Sequence, residues 1–412
     1  MAPKVLLATT CRWFSTARLA MAFRRVGCEV DLVCPPDHPA FSTHALRYRL
    51  RYHGVSAQRS FHNAILKSAP DIVLPCDDVA MRHLHRLYSM ASQSAEHDSK
   101  AVCKLLRASM GDPVSYPITE SREKFMALVR ELGVRVPETK PLDSSDQLEE
   151  WLAQFGFPAV LKADGTSGGE GVRIVYTLPA ALRAYKILHA PLATVVAAKR
   201  TFIDRDSNCI VPWLMQHQRQ VSIQRFVAGP DATVAAACWQ GEALASIDAE
   251  VLQTSKPKGP ATIVRLCQDD ERLQAVKKIV RKLGFTGLCG FDFMIDAANG
   301  NSYLIEMNAR ATQTCSLPLG PQRDLISSFC TALSGQPFSD TPLQFSGDTI
   351  ALFPMAWRGD TSSDLFQSSY LDLPMDEPDL VSLGMQQIQI TFQQKLQQKW
   401  IHLLSKLGLH QP

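Results

Sequence analysis

The 412-residue chain has no Cys-x-x-Cys pair, no dense run of lysine and arginine, and no apolar run near the roughly 18 to 20 residues that span a bilayer. Eleven scattered cysteines, an odd number, argue against a closed disulfide framework; reduced thiols in a cytoplasm are expected, and none is assigned chemistry. A net charge of +3 leaves no electrostatic footprint for nucleic acid or a membrane surface, so the expected partners are small molecules. Acidic residues are missing before Glu29, and a basic start with Ser and Thr has a transit-peptide composition. The same residues parse as a strand and a helix, so no targeting segment is expected. Glycine is missing from the turn after the first strand: Thr9-Thr10-Cys11-Arg12-Trp13 stands where a nicotinamide-binding turn needs its glycines. No G-x-x-x-x-G-K-[ST] loop occurs either.

What is present is an ordinary globular composition, 46% hydrophobic and 20% charged, with room for two or three domains. Lys4 to Ala8 reads as a buried strand, Ser15 as the cap of a helix ending before Gly27, and Glu29 to Cys34 as a strand stopped by Pro35-Pro36. Helix candidates over 60–69 and 79–91 flank a short strand over 71–75, an alternation that predicts a parallel sheet. Asp77 and Asp78 follow a strand end, where Asp77 suits a helix N-cap and either acid can reach a ligand. Beyond a connection at 113–117, helices are expected over 121–132, carrying Lys124, and over 144–155, 270–283 and 322–333. Residues 189–220 carry no readable pattern. The tail from 346 onward, with an apolar segment at 350–355 and a Gln-rich one at 386–400, reads as a small cover without chemistry.

The most informative stretch runs from Leu288 to Arg310. Two runs rich in aromatic and branched residues flank Asn299-Gly300, the pattern of an antiparallel hairpin. A three-residue loop ending in a left-handed glycine pairs Ala297 with Asn301 and puts Asp292 opposite Glu306; a two-residue turn instead puts Met307 there. The bulged turn is expected because it gathers Asp292, Glu306, Asn308 and Arg310 on one face. Like charges directly opposite each other destabilise a sheet unless a cation neutralises them, and magnesium takes such oxygens while completing its octahedron with water and phosphates. Asp292, Glu306 and Asn308 are therefore the candidate metal ligands, although a solvent-facing strand explains any one of them alone.

Residues 156–175 read as strand, loop and strand, with Lys162 at the first strand's end and Gly165-Thr-Ser-Gly-Gly-Glu-Gly171 as the loop. The lysine precedes the glycines, yet Gly165, Ser167, Gly168, Gly169 and Gly171 can fold backbone N–H groups over a phosphate. A cation about 4 Å from a phosphate oxygen gains roughly 4 kcal/mol at an effective dielectric near 20. A hairpin with a mobile surface tip is the plain alternative. Ser222 to Val234 reads as strand, Gly229-Pro230 turn and strand, on which Gln224 can hold an adenine edge and Asp231 ribose hydroxyls; a plain hairpin accounts for them equally. Lys256, Lys258 and Arg265 are weaker candidates for holding an anionic substrate group.

In this order, the lysine helix, the lysine strand with its glycine loop, the Gln224 strand and the acid hairpin resemble the ATP-grasp superfamily over roughly residues 1–345. The likeness is strongest to its carbamoyl phosphate synthase-like and D-alanyl-D-alanine ligase-like members. It implies an α/β protein with a Rossmann-like preATP-grasp domain (1–118), an α+β ATP-grasp domain (119–345, divided near 145–228 and 229–345) and a C-terminal segment (346–412). It also implies Lys124 and Lys162 on the α- and β-phosphates, the loop Gly165 to Gly171 over the triphosphate, Gln224 and the backbone of Val227 on adenine, and Asp231 on ribose. Magnesium, or manganese, would sit on Asp292, Glu306 and Asn308, with Arg310 on the transferred phosphoryl group. Gln224 and Asp231 stand where the family often has glutamate, and Ala309 where it often has proline. Gly290 stands where D-alanyl-D-alanine ligases carry a substrate-holding arginine, which disfavours that activity. The implied reaction makes an acyl phosphate from ATP and a carboxylate, then an amide from an amine, releasing ADP and phosphate. Another acceptor (a thiol, a hydroxyl or bicarbonate chemistry), a non-catalytic ATP-binding subunit, and a homodimer stay open.

Overall fold

Three sheets are laid down along the chain of the computed structural model, which describes residues 2–164, 171–190, 219–257 and 259–389. The first is parallel, built from β1 (Lys4–Ala8), β2 (Glu29–Cys34), β3 (Leu46–Arg51) and β4 (Ile72–Pro75) in the order β3-β2-β1-β4. Its inner strands are near-continuous aliphatic runs because both faces are covered. Helices Ala57–Ser68, Asp78–Ser92 and His97–Met110 pack on one face. The helix Phe14–Arg25 packs on the other, buried almost without a break from Phe14 to Phe23. A helix buried on most of its surface needs neighbours on two sides, and this one lies between the parallel sheet and a layer made by Gln313–Ser316 and Phe329 of the helix Leu325–Ser334. Ser15 lies inside it; the N-cap position is Trp13, which makes no side-chain cap bond. In the parallel sheet and its covering helices, two elements go beyond those expected. Leu46–Arg51 is an edge strand with arginine at every second position, and His97–Met110 follows Glu96, which makes no cap bond, so neither has a clear boundary signal.

The second sheet is antiparallel, with β5 (Thr139–Leu142), β6 (Ala159–Ala163), β7 (Val172–Val175) and β8 (Val221–Arg225) in the order β5-β8-β6-β7. Helices Ser145–Phe155 and Leu178–His189 cover one face, packing Trp151, Leu152, Ala181 and Tyr185 against Leu161 and Ile223. The opposite face presents two rows across the strands, Thr139, Gln224, Val160, Ile174 and Pro141, Ser222, Lys162, Val172.

The third sheet has β9 (Asp231–Trp239), β10 (Glu242–Thr254), β11 (Ala261–Cys267), β12 (Gly287–Ile295), β13 (Ser302–Asn308), β14 (Thr349–Leu352) and β15 (Tyr370–Asp372) in the order β13-β12-β9-β10-β11-β14-β15. On β9, Ala232 and Ala236 share a core with the helices Arg122–Glu131 and Asp270–Leu283, while Ala235 and Ala237 lie on the other face, which the helix Leu325–Ser334 covers, so small residues let helices close on both sides. The helix Asp270–Leu283 has the boundaries expected of it: Asp269 accepts from Arg272 N, and Gly284 ends it at φ +58°. The tail is more than a cover, because β14 and β15 extend this sheet. Of its Gln-rich stretch, 386–389 is helical and the rest lies outside the described residues, as do 191–218. Among the described residues no helix is long and apolar enough to cross a membrane.

β8 and β9 do not form the plain hairpin, for they belong to different sheets. The chain between them is tied to the β12 end, with Ala297 N donating to Ala228 O (2.8 Å) and Ile295 N to Pro230 O (2.9 Å). Gly229 sits at φ +151°, where a Cβ would lie 1.9 Å from Ile295 O. Gly229→Ala is expected to destabilise the protein by about 2–4 kcal/mol in urea denaturation, through overpacking and backbone strain together.

Candidate active site

β12 and β13 pair Gly290 with Asn308, Phe291 with Met307 and Asp292 with Glu306, then slip by one so that Phe293 meets Leu304 and Ile295 meets Ser302. The Asp292–Glu306 pair is the one expected, but the extra residue is in a different place. The turn is the loop 297–300, closed by Asp296 N to Asn301 O (2.9 Å) and Gly300 N to Asp296 O (2.7 Å), with Gly300 left-handed at φ +73°. The bulged residue is Ile305, inside β13. Leu304 and Met307 both pack with Phe291 and Phe293, which strict alternation forbids and one inserted residue permits.

The two carboxylates lie on the face that, further along β12, buries Leu288 beside Ala237. Asp292 accepts from Asn308 Nδ2 (2.9 Å) and from Thr233. Burial, reinforced by the neighbouring Glu306 charge, pushes its pKa up from 3.8 to about 6 despite those bonds and Arg310. Glu306 accepts from Arg122 Nη2 (3.0 Å), and the same guanidinium donates through Nη1 to Asp164 (3.1 Å), just past the end of β6. Arg310 donates from Nη2 to Asn308 Oδ1 (3.0 Å) and from Nε to Asp78 (2.9 Å), with Trp13 5.2 Å from its guanidinium carbon. Asp78 opens a helix of the parallel sheet and Asp164 directly follows a strand of the second. The acid hairpin thus stands where three sheets meet.

The other expected residues fall into place unevenly. Lys162 is buried on β6 directly opposite Ser222, and Gly171 O accepts from Ala163 N (2.9 Å), but Gly165, Ser167, Gly168 and Gly169 lie outside the described residues. Gln224 is buried and donates from Nε2 to Thr139 Oγ1 (3.0 Å). Val227 lies in the connector after β8, and Asp231 opens β9 opposite Met294, on the Asp292 face. Lys124 is exposed; Arg122 is the cation of that helix that reaches the carboxylates. Its signal was present in the sequence, since Arg122, Phe125, Met126 and Val129 share one inward stripe of the helix. Lys256 is exposed, Lys258 lies outside the described residues, and half-exposed Arg265 stands 3.8 Å from Glu250 and 3.9 Å from Asp348. Asp77 serves as N-cap, accepting from Val79 N and Ala80 N as well as from Thr9 and Thr10. Trp13, Asp164 and Thr233 carry no local motif that marks them.

Among the described residues no group of three His, Cys, Asp or Glu side chains gathers as a metal cage. Two carboxylates and one amide are a sparse donor set, which suits a cation that takes the rest of its shell from water and phosphate oxygens. The residues fit such a cation, because Asp292 is held against a like charge and its pKa is raised.

Residues 121–318 match the family model described as carbamoyl-phosphate synthase L chain, ATP binding domain. They form an ATP-grasp domain. The carbamoyl phosphate synthase large chain of Xylella fastidiosa (strain Temecula1 / ATCC 700964) is 26% identical over 208 residues, 49% of this chain and 18% of that one. The chain spans about a fifth of the length of such relatives. Among solved structures, the biotin carboxylase domain of Hydrogenobacter thermophilus 2-oxoglutarate carboxylase, in complex with MgADP, ADP and bicarbonate, matches with TM-score 0.57 at 15% identity, over 84% of this chain and 72% of that one. The N5-carboxyaminoimidazole synthetase of Staphylococcus aureus, complexed with ADP, matches with TM-score 0.57 at 13% identity, over 82% and 79%. These likenesses show the fold.

Because the raised Asp292 pKa lets only the folded chain hold that proton between 3.8 and about 6, this group's contribution to stability falls as pH rises through that window. Without divalent cations, Asp292→Asn is therefore expected to gain on the wild type between pH 4 and 7, by less than about 3 kcal/mol given partial exposure, in paired denaturation curves.

Proposed function

We propose that the chain is an ATP-dependent ligase that activates a carboxylate as an acyl phosphate and joins it to an amine, releasing ADP and phosphate. The observation that carries this is the convergence of Asp292, Glu306, Asn308 and Arg310 with Arg122 and the end of the Lys162 strand at one junction. In this reading Gln224 and the Val227 backbone hold adenine, Asp231 holds ribose, and Lys162, Arg122 and the 165–171 loop hold the phosphates. Magnesium on Asp292, Glu306 and Asn308 would neutralise the carboxylate pair and draw charge from the phosphate oxygens.

The substrate carboxylate attacks the γ-phosphorus in line, the bond to the β-phosphate oxygen breaks, and ADP leaves. Arg310, held by Asp78 and stacked near Trp13, stabilises the transferred phosphoryl group and then the acyl phosphate. The amine then attacks the acyl carbon and displaces phosphate, and excluding water from the site preserves the intermediate until it does. Bicarbonate as the activated acid is the second reading, favoured by the ligands of the Hydrogenobacter thermophilus neighbour.

The test is phosphate release from ATP and magnesium across amino acids, small carboxylic acids and bicarbonate, singly and in pairs, with mass spectrometry of the products. Release that needs both an acid and an amine is expected; an ATP-binding chain that releases phosphate with no pair would overturn the ligase reading. Glu306→Ala should abolish turnover, by at least about a thousandfold, while the chain stays folded by circular dichroism, since losing the Arg122 bond is offset in part by relief of the repulsion on Asp292. Arg122→Met should raise the ATP dissociation constant about tenfold or more.

A further inference from the structure

Thr139 and Gln224 are directly opposite each other on β5 and β8, on the open face of the second sheet, and Gln224 is 2% exposed. Gln224 Nε2 lies 3.0 Å from Thr139 Oγ1, which in turn lies 2.9 Å from Pro137 O. A hydroxyl has a single proton, and a main-chain carbonyl can only accept. The Thr139 proton therefore goes to Pro137, so towards Gln224 the hydroxyl can only accept. This fixes the amide with its NH2 on Thr139 and its carbonyl Oε1 turned away, where among the described residues no donor meets it. Next on the same face, Ser222 carries a buried hydroxyl that also has no partner, directly opposite buried Lys162. An unmatched hydroxyl is costly to bury, and the Ser222 hydroxyl beside a lysine, with the Gln224 carbonyl open on the same face, points to a ligand that completes their hydrogen bonds.

We propose that Thr139 sets the base specificity of the nucleotide site: by locking the Gln224 amide it presents an acceptor, which admits a 6-amino purine and rejects a 6-oxo purine. An adenine amino group donates to Oε1, whereas the guanine 6-oxygen would face it with no proton between two acceptors. An unlocked amide has no such preference, because a half-turn exchanges its oxygen and nitrogen. Thr139 acts through Gln224 and is a positioning residue. The inference rests on the ATP reading above.

The test is competition of ATP and of GTP, each with magnesium, against a fluorescent adenine nucleotide on the full chain. Wild type should prefer ATP. Thr139→Val, nearly isosteric and suited to a strand, should reduce the ATP-over-GTP preference about tenfold or more, and Thr139→Ala should do the same should valine disturb β5. Thr139→Ser should restore it. So should Thr139→Val combined with Gln224→Glu, because a carboxylate presents acceptors in either orientation. A wild-type chain that binds ATP without preferring it to GTP, an undiminished preference in T139V and T139A, or no recovery in T139S or the double variant, overturns the inference and leaves the ATP reading standing. A wild-type chain that binds neither nucleotide overturns that reading and the inference with it.

Discussion

Asp292 and Glu306 are held side by side across an antiparallel strand pair, and the surroundings of the site can be understood as responses to their repulsion. Two such charges about 4 Å apart cost roughly 4 kcal/mol at an effective dielectric near 20, too much to leave unanswered in a protein of ordinary stability. Three responses are present. Arg122 neutralises Glu306 from one side, Asn308 passes the influence of Arg310 to Asp292 from the other, and Asp292 holds its proton up to about pH 6. A divalent cation would replace the proton.

The same cations hold the architecture together. Arg122 ties Glu306 to Asp164 at the end of β6, and Arg310 ties Asn308 to Asp78 at the start of a helix of the parallel sheet. Each guanidinium has five donors in a planar fork, so it can serve two acceptors on different elements, which an ammonium on a flexible stem does less well. The buried helix Phe14–Arg25 supplies the remaining wall, because its packing holds Trp13, the residue before it, beside Arg310. Packing far from the chemistry therefore decides where the chemistry has room.

Much of this was legible in the residues, although not always for the right reason. The hairpin pairs Asp292 with Glu306 as its acids suggested, but the extra residue is Ile305 and not part of the turn, because Leu304 and Met307 compete for the same core face. Turn chemistry could not show that competition, which depends on what packs against the strands. On the lysine helix, the family resemblance pointed to Lys124, and the inward stripe of Phe125, Met126 and Val129 also carries Arg122, which the resemblance did not mark. The tail has short apolar segments that read as a cover, yet β14 and β15 join the sheet, since a strand of three or four residues has too short a pattern to reveal its partner.

By itself the sequence determined what is local: the caps and apolar stripes of the helices, the alternation that makes strands, the glycine that turns the acid hairpin, and the order of motifs typical of an ATP-grasp chain. These follow from backbone sterics and from interactions within a few residues. Only the tertiary structure decided which distant groups meet. Arg310 and Asp78 stand 232 positions apart, Arg122 and Glu306 184, and Gln224 and Thr139 85. Such pairs form because buried polar groups must find partners once the apolar faces have closed, and which partners lie within reach is set by how those faces pack.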